Sequence, residues 1–134
     1  MENFRVTLVN KIKQKEFNLQ LVFEPIRNEN IEFEFGNSSK SLERKNLEFL
    51  DEKFNIIEPS GYRVINPVKY EKESIVISKD KPFTYDILGK IEIFNTKALI
   101  KLVSAEYVLD LNKKYFVQFD YLGKKSNRID FEIK

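Results

Sequence analysis

The chain of 134 residues contains no cysteine, no histidine and no tryptophan, and it has only four glycines and four prolines. Without cysteine it has no disulfide and no thiol chemistry, which fits a reducing compartment. Without histidine it has no Ser-His-Asp or Cys-His catalytic set and no usual zinc site. The four glycines are isolated, so no glycine-rich loop cradles a phosphate. We therefore expect no enzyme, no cofactor and no metal.

Carboxylates are the remaining candidates for chemistry. The pairs Glu32 with Glu34 and Asp130 with Glu132 each lie two residues apart, a spacing that places both carboxylates on one face of a strand. Such pairs could flank a glycosidic bond, but they are more typical of solvated strand faces. No calcium-binding run of the EF-hand type is present.

An excess of charge of one sign is also lacking. Lysine and arginine number 23 against 21 acidic residues, which gives a net charge of +2. A nucleic-acid-binding surface normally shows a clear positive excess, so we expect no nucleic-acid partner. No stretch approaches the roughly 20 apolar residues needed to cross a bilayer, and the N-terminal segment does not resemble a secretory signal. A soluble, cytoplasmic protein without a membrane partner is the expectation.

Aromatic residues, by contrast, are abundant. Twelve phenylalanines and six tyrosines contribute to a hydrophobic content of 42%. A chain of this length and composition can bury a core of its own, so we expect a single domain over residues 1–134. The abundance of lysine, asparagine, isoleucine and phenylalanine is typical of a bacterial protein encoded by an AT-rich genome.

The C-terminal segment has the clearest pattern, because apolar and polar residues alternate on both sides of a loop at 122–126. The apolar residues of its two strands are Tyr115, Val117, Phe119 and Tyr121, then Ile129, Phe131 and Ile133. Alternation with a period of two predicts an antiparallel hairpin with one buried face.

Weaker alternation predicts further strands elsewhere, at residues 5–9, 17–24, 31–35, 53–58, 62–65, 74–77, 83–87 and 91–94. The strands at 17–24 and 31–35 flank a turn at 28–30 and are interpreted as a hairpin. Residues 95–108 have apolar residues at helical spacing and predict one short helix. The chain is therefore predicted to be an all-β antiparallel sandwich of about seven to nine strands with one short helix.

The order of these features resembles bacterial immunoglobulin-like β-sandwich proteins, and the layout is similar to the β-domain of deuterolysin-type metallopeptidases. The residues that carry the resemblance are 54–56 with 61–64, 74–82, and the strand at Tyr115. It implies a fold alone, because the histidines of the peptidase zinc motif are absent. Tyr115 precedes Val117 by two residues, as in a tyrosine corner, which predicts a bond from its hydroxyl to the backbone near Leu111 or Asn112.

Several apolar residues fall on the strand faces that are predicted to be exposed to solvent. Phe116 and Leu122 face away from the predicted core, and the other exceptions are Ile57, Ile65, Val76 and Leu88. Three interpretations are open: the predicted helix covers them, they form an interface with a partner or with a second copy, or they are scattered single residues.

The functional hypothesis is a non-enzymatic protein-binding module, of the immunity or inhibitor type that occludes a toxin or an enzyme. Phe116 and Leu122 would be its apolar anchors, with Lys124, Lys125 and Tyr62 at the rim. One alternative is an accessory or carbohydrate-binding sandwich, although sugar stacking favours tryptophan. A second alternative is a structural subunit that self-associates as a homodimer.

Overall fold

The computed structural model describes residues 3–35, 46–62, 73–103, 105–121 and 123–134. Within these ranges the chain forms fourteen strands, and every pairing between them is antiparallel. The strands are β1 (Phe4–Asn10), β2 (Leu19–Pro25), β3 (Ile31–Phe35), β4 (Leu47–Leu50), β5 (Ile56–Ile57), β6 (Gly61–Tyr62), β7 (Glu73–Ile77), β8 (Phe83–Ile87), β9 (Lys90–Phe94), β10 (Lys97–Lys101), β11 (Ala105–Asp110), β12 (Lys114–Tyr121), β13 (Lys124–Lys125) and β14 (Ile129–Glu132). No helix in the described part of the chain has the length and apolar character needed to span a membrane.

The strands form four small sheets. Sheet 1 has the order β1-β2-β8, and sheet 2 has the order β6-β11-β10-β9. Sheet 3 runs β13-β12-β4-β5, with β14 also paired to β12, and sheet 4 is the pair β3-β7. The expected all-β, antiparallel class is confirmed at this level, with more and shorter strands than predicted.

One hydrophobic cluster receives side chains from all four sheets. Phe23 of sheet 1 contacts Phe33 of sheet 4 and Phe119 of sheet 3, with ring centroids 5.7 and 6.1 Å apart. Phe49 of sheet 3 contacts Tyr107 of sheet 2 at 4.1 Å. Aromatic rings therefore connect the sheets, and this packing uses many of the phenylalanines.

The predicted C-terminal hairpin is confirmed. Strands β12 and β14 pair in a register that sets Tyr115 opposite Phe131 and Val117 opposite Ile129, and all seven alternating apolar residues are buried. The Tyr115 hydroxyl accepts a hydrogen bond from the backbone N–H of Asp110 at 2.9 Å, one residue upstream of the predicted contact at Leu111 or Asn112.

The predicted helix at residues 95–108 is wrong, because this segment forms a turn followed by β10 and β11. Residue Asn95 has a φ of 54° and occupies the tight turn between β9 and β10, where a left-handed residue is required. The inward residues then follow a period of two, with Ala98 and Ile100 on one strand and Tyr107 and Leu109 on the next. The helical spacing was coincidental, because two adjacent strands of a hairpin can imitate it.

Two further predictions need correction. The strands at 17–24 and 31–35 do not form a hairpin, because β2 pairs with β1 and β8 whereas β3 pairs with β7. The strand predicted at 53–58 is confined to the two residues of β5, and the residues before β5 form a turn. This turn follows β4, and β4 was not predicted. Ile65 and Leu122 lie outside the described residues.

Candidate functional site

The outer face of sheet 3 carries an apolar row where a polar surface was expected. The register places Ile56 opposite Leu50 and Leu50 opposite Phe116, across β5, β4 and β12. These side chains alternate with the core residues Phe49 and Val117 and so point away from the core. Leu50 is buried and Phe116 is half-buried, whereas 59% of Ile56 is exposed.

The turn between β4 and β5 adds an aromatic ring to this row. The Asp51 carboxylate accepts hydrogen bonds from the backbone N–H groups of Lys53 and Asn55, both at 2.9 Å. The backbone N–H of Asn55 is the main cause that lowers the pKa of Asp51 below its ordinary value. The backbone carbonyl of Asp51 accepts a hydrogen bond from the N–H of Phe54 at 2.9 Å, which closes a tight turn.

Phe54 occupies an unusual backbone conformation in this turn. Its φ is 65°, in the left-handed region where glycine or asparagine is the usual residue and a bulky side chain is an outlier. The ring lies 4.9 Å from that of Phe116, measured between centroids. Even so, 53% of Phe54 is exposed to solvent. The turn thus holds an aromatic ring on the outer face of the sheet without burying it.

Arg128 also contacts the ring of Phe54. Its guanidinium carbon is 4.4 Å from the centroid of the Phe54 ring. Its Nε donates to Oε1 of Gln118 at 3.2 Å, and Nε2 of Gln118 donates to Oε1 of Glu48 at 2.8 Å. Gln118 is only 5% exposed, so this chain of hydrogen bonds anchors the guanidinium from a buried position. We refer to Phe54, Ile56, Phe116 and Arg128 together as the outer patch.

A charged cleft of about 510 Å³ adjoins the outer patch, between the β4–β5 turn and the start of β12. Asp110 forms ion pairs there with Lys97 and, at 3.3 Å, with Lys113. Its pKa is lowered, first by the hydrogen bond from Lys97, and the pKa of Lys113 is raised by Asp110. Lys114 lies between cleft and patch, 5.9 Å from the centroid of the Phe116 ring and 3.5 Å from Asp130.

The residues predicted to bind a partner do not form one site. Phe116 belongs to the outer patch, but Tyr62 lies in sheet 2 and is exposed at the end of β6. Lys124 and Lys125 pair with the far end of β12, roughly 13 to 17 Å along the strand from Phe116. The ammonium of Lys124 packs on the ring of Phe4, at 5.4 Å. Leu122, the other expected anchor, is not among the described residues.

Three members of the outer patch were missed by sequence reasoning. Phe54 and Ile56 were assigned to one predicted strand, and no role was predicted for Arg128. Asp51, followed by a polar residue pair, is a signal for a side-chain-capped turn, and it would have removed Phe54 from the strand.

Within the described ranges, no group of three or more acidic residues is placed to hold a metal ion. No protein-family model matches the chain, and neither a curated protein nor a solved structure is significantly similar to it. Ideas about function therefore depend on the geometry of the outer patch.

Proposed function

We propose that this protein is a non-enzymatic protein-binding module and that its partner docks on the outer patch. The observation that carries the proposal is the exposed Phe54 ring, held in a left-handed backbone conformation against Phe116 and Arg128. Residues held in such sparsely populated conformations concentrate at functional sites. Exposed apolar patches and aromatic–arginine clusters are typical of protein interfaces.

Within this proposal the protein is a cytoplasmic inhibitor or immunity-type protein that occludes a toxin or an enzyme. A sequence without histidine or cysteine supports a role in covering another protein's site rather than in chemistry of its own. An immunoglobulin-like arrangement of the sheets is part of the same proposal, supported by the Tyr115 hydroxyl contact, which resembles a tyrosine corner.

The test uses two matched substitutions in the tagged 134-residue chain. Ile56 and Leu88 are each 59% exposed, but only Ile56 belongs to the outer patch. Leu88 lines a separate cleft. We expect the partner captured from lysate of the producing cells to be retained by wild type and by Leu88→Asp, and lost by Ile56→Asp. Thermal unfolding of all three proteins checks that each remains folded.

The proposal fails if Ile56→Asp retains the partner, or if both variants lose it equally. Light scattering on the same proteins shows whether the partner is a second copy, because a dimer that Ile56→Asp dissociates would make this a self-association surface. Ile56 is a better position than Phe116 for this test, because Phe116 is half-buried and a charge there would also disturb the packing of Phe54.

A further inference from the structure

We infer that the partner presents a carboxylate next to an apolar side chain, and that the Arg128 guanidinium binds this carboxylate. The inference rests on the proposed function and adds the chemistry of the partner. Nε of Arg128 is already bonded to Gln118. Its two terminal amino groups have no hydrogen-bond acceptor among the described residues, and the side chain is exposed.

The guanidinium is fixed before any partner arrives. Gln118 accepts a hydrogen bond from its Nε, the guanidinium carbon lies 4.4 Å from the centroid of the Phe54 ring, and Gln118 donates in turn to Glu48. A free arginine loses much rotamer freedom on binding, and an arginine that is already ordered avoids most of that loss. The two parallel N–H groups at the open end match the two oxygens of a carboxylate.

The neighbouring charges favour a carboxylate over a phosphate. Glu48 lies at one end of the hydrogen-bond chain, and Asp130 sits opposite Phe116 in the β12–β14 register. Both are acidic, and a dianionic phosphate would be repelled by them more strongly than a singly charged carboxylate. Lys114 offsets Asp130, because their side chains are paired.

Ile56 and Phe54 would contact the partner's apolar side chain, because they are the two most exposed apolar members of the outer patch. Phe54 contacts the guanidinium directly, and Ile56 lies two residues further along the chain, opposite Leu50 in sheet 3. A peptide with an aspartate flanked by leucines has the chemistry to satisfy both halves together.

The test is a nuclear magnetic resonance titration of the isotope-labelled full chain with the capped peptide acetyl-Leu-Asp-Leu-amide. We expect saturable shifts at the Arg128 Nε–H and at the amides of Phe54 and Phe116, with a Kd in the millimolar range. The matched peptide acetyl-Leu-Asn-Leu-amide should bind at least about tenfold more weakly, because it lacks the charge.

Arg128→Lys keeps the positive charge but loses the planar pair of donors, so affinity for the aspartate peptide should fall by about tenfold. Arg5→Lys is the matched control, because Arg5 is exposed on β1 and lies outside the outer patch. The control should bind as wild type does. Equal binding of the asparagine peptide, wild-type affinity in Arg128→Lys, or the absence of saturable shifts would each overturn the inference.

Inorganic phosphate serves as the competing probe, and equal or tighter binding of phosphate at Arg128 would also overturn the inference. Failure of this inference can be distinguished from failure of the proposed function. If the aspartate peptide does not bind at Arg128 but Ile56→Asp still loses its protein partner, only the inferred carboxylate recognition is wrong. If Ile56→Asp retains the partner, the proposed function itself is wrong.

Discussion

At the scale of single residues, Phe54 is where local backbone preference and side-chain placement conflict. A turn closed by Asp51 would normally have glycine or asparagine at the left-handed position. Phenylalanine there opposes the backbone preference by about 1 to 2 kcal/mol. Its contacts with Phe116 and Arg128 are of a similar size and offset this cost, since an aromatic pair and a cation–π contact each contribute about 0.5 to 1.5 kcal/mol.

Replacing Phe54 separates these two contributions. Phe54→Ala removes the ring but keeps a Cβ in the left-handed conformation, whereas Phe54→Gly removes both the ring and the strain. We expect Phe54→Gly to be more stable than Phe54→Ala by about 1 kcal/mol in urea unfolding at neutral pH. If the alanine variant were as stable as the glycine variant, the turn would not be strained.

The identity of the exposed apolar residues could be predicted from sequence only in part. Phe116 was found because it interrupts a strong alternation along β12. Phe54 was not found, because a side chain's place in a turn depends on the sign of one backbone dihedral angle, which hydrophobic periodicity does not report. Arg128 was not assigned a role, because its partners Gln118 and Phe54 are distant in sequence.

At the scale of elements, the strands were easier to predict than their pairing. Alternation along one segment reports which face is buried, as the seven buried residues of the C-terminal hairpin show. It does not report which strand lies alongside, so β3 was predicted to pair with β2 although it pairs with β7, about forty residues away in sequence. Residues 95–108 were mistaken for a helix for a related reason, because their true pattern changes phase at the turn between β10 and β11.

Asn127 joins two of these elements without belonging to a strand. Its side-chain Oδ1 accepts the backbone N–H of Leu8 at 2.7 Å, and its Nδ2 donates to the carbonyl of Leu8 at 2.9 Å. The amide thus pairs with β1 as a neighbouring strand would, and it ties sheet 1 to the segment that precedes β14. A side chain that satisfies both backbone groups of one residue removes the cost of leaving them unpaired.

Asn127→Ala tests this connection. We expect a loss of about 1 to 3 kcal/mol in the free energy of unfolding, because Leu8 would lose partners for a donor and an acceptor that are partly buried. Asn28→Ala is the matched control at an exposed position, with an expected change within about 0.5 kcal/mol. Equal stability of the two variants in urea would show that water replaces the amide at no cost.

At the scale of the whole molecule, ionic interactions are placed on the surface and aromatic packing is placed inside. Burial of the hydrophobic cluster shared by the four sheets is the main source of stability, and ion pairs such as that of Lys97 with Asp110 lie at the surface. Exposed pairs contribute little and are screened by salt. The sequence composition is consistent with this arrangement, because aromatic residues are abundant and the numbers of positive and negative charges are nearly equal.

Acid should weaken the fold through the carboxylates whose pKa is lowered. The pKa of Asp110 is lowered by Lys97 and Lys113, and that of Asp51 by backbone N–H groups of its turn. A lowered folded-state pKa contributes stability above the ordinary aspartate pKa of about 4, and this contribution is lost as the pH falls through the folded value.

We therefore expect wild type to be more stable than Asp110→Asn at pH 6, with the difference shrinking below about pH 4. Urea unfolding at a series of pH values measures this difference in the free energy of unfolding. High salt should reduce the same difference, because the ion pairs are exposed. A difference that did not change with pH would contradict the stated origin of the effect.

The central claim is that the outer patch, and not the exposed apolar residues in general, binds the partner. The most direct measurement is the Kd of the purified partner for wild type, Ile56→Asp and Leu88→Asp, by calorimetry at one temperature and salt concentration. We expect Ile56→Asp to weaken binding by at least about tenfold, or about 1.4 kcal/mol, while Leu88→Asp binds as wild type does. Wild-type affinity in Ile56→Asp, with the fold intact, would contradict it.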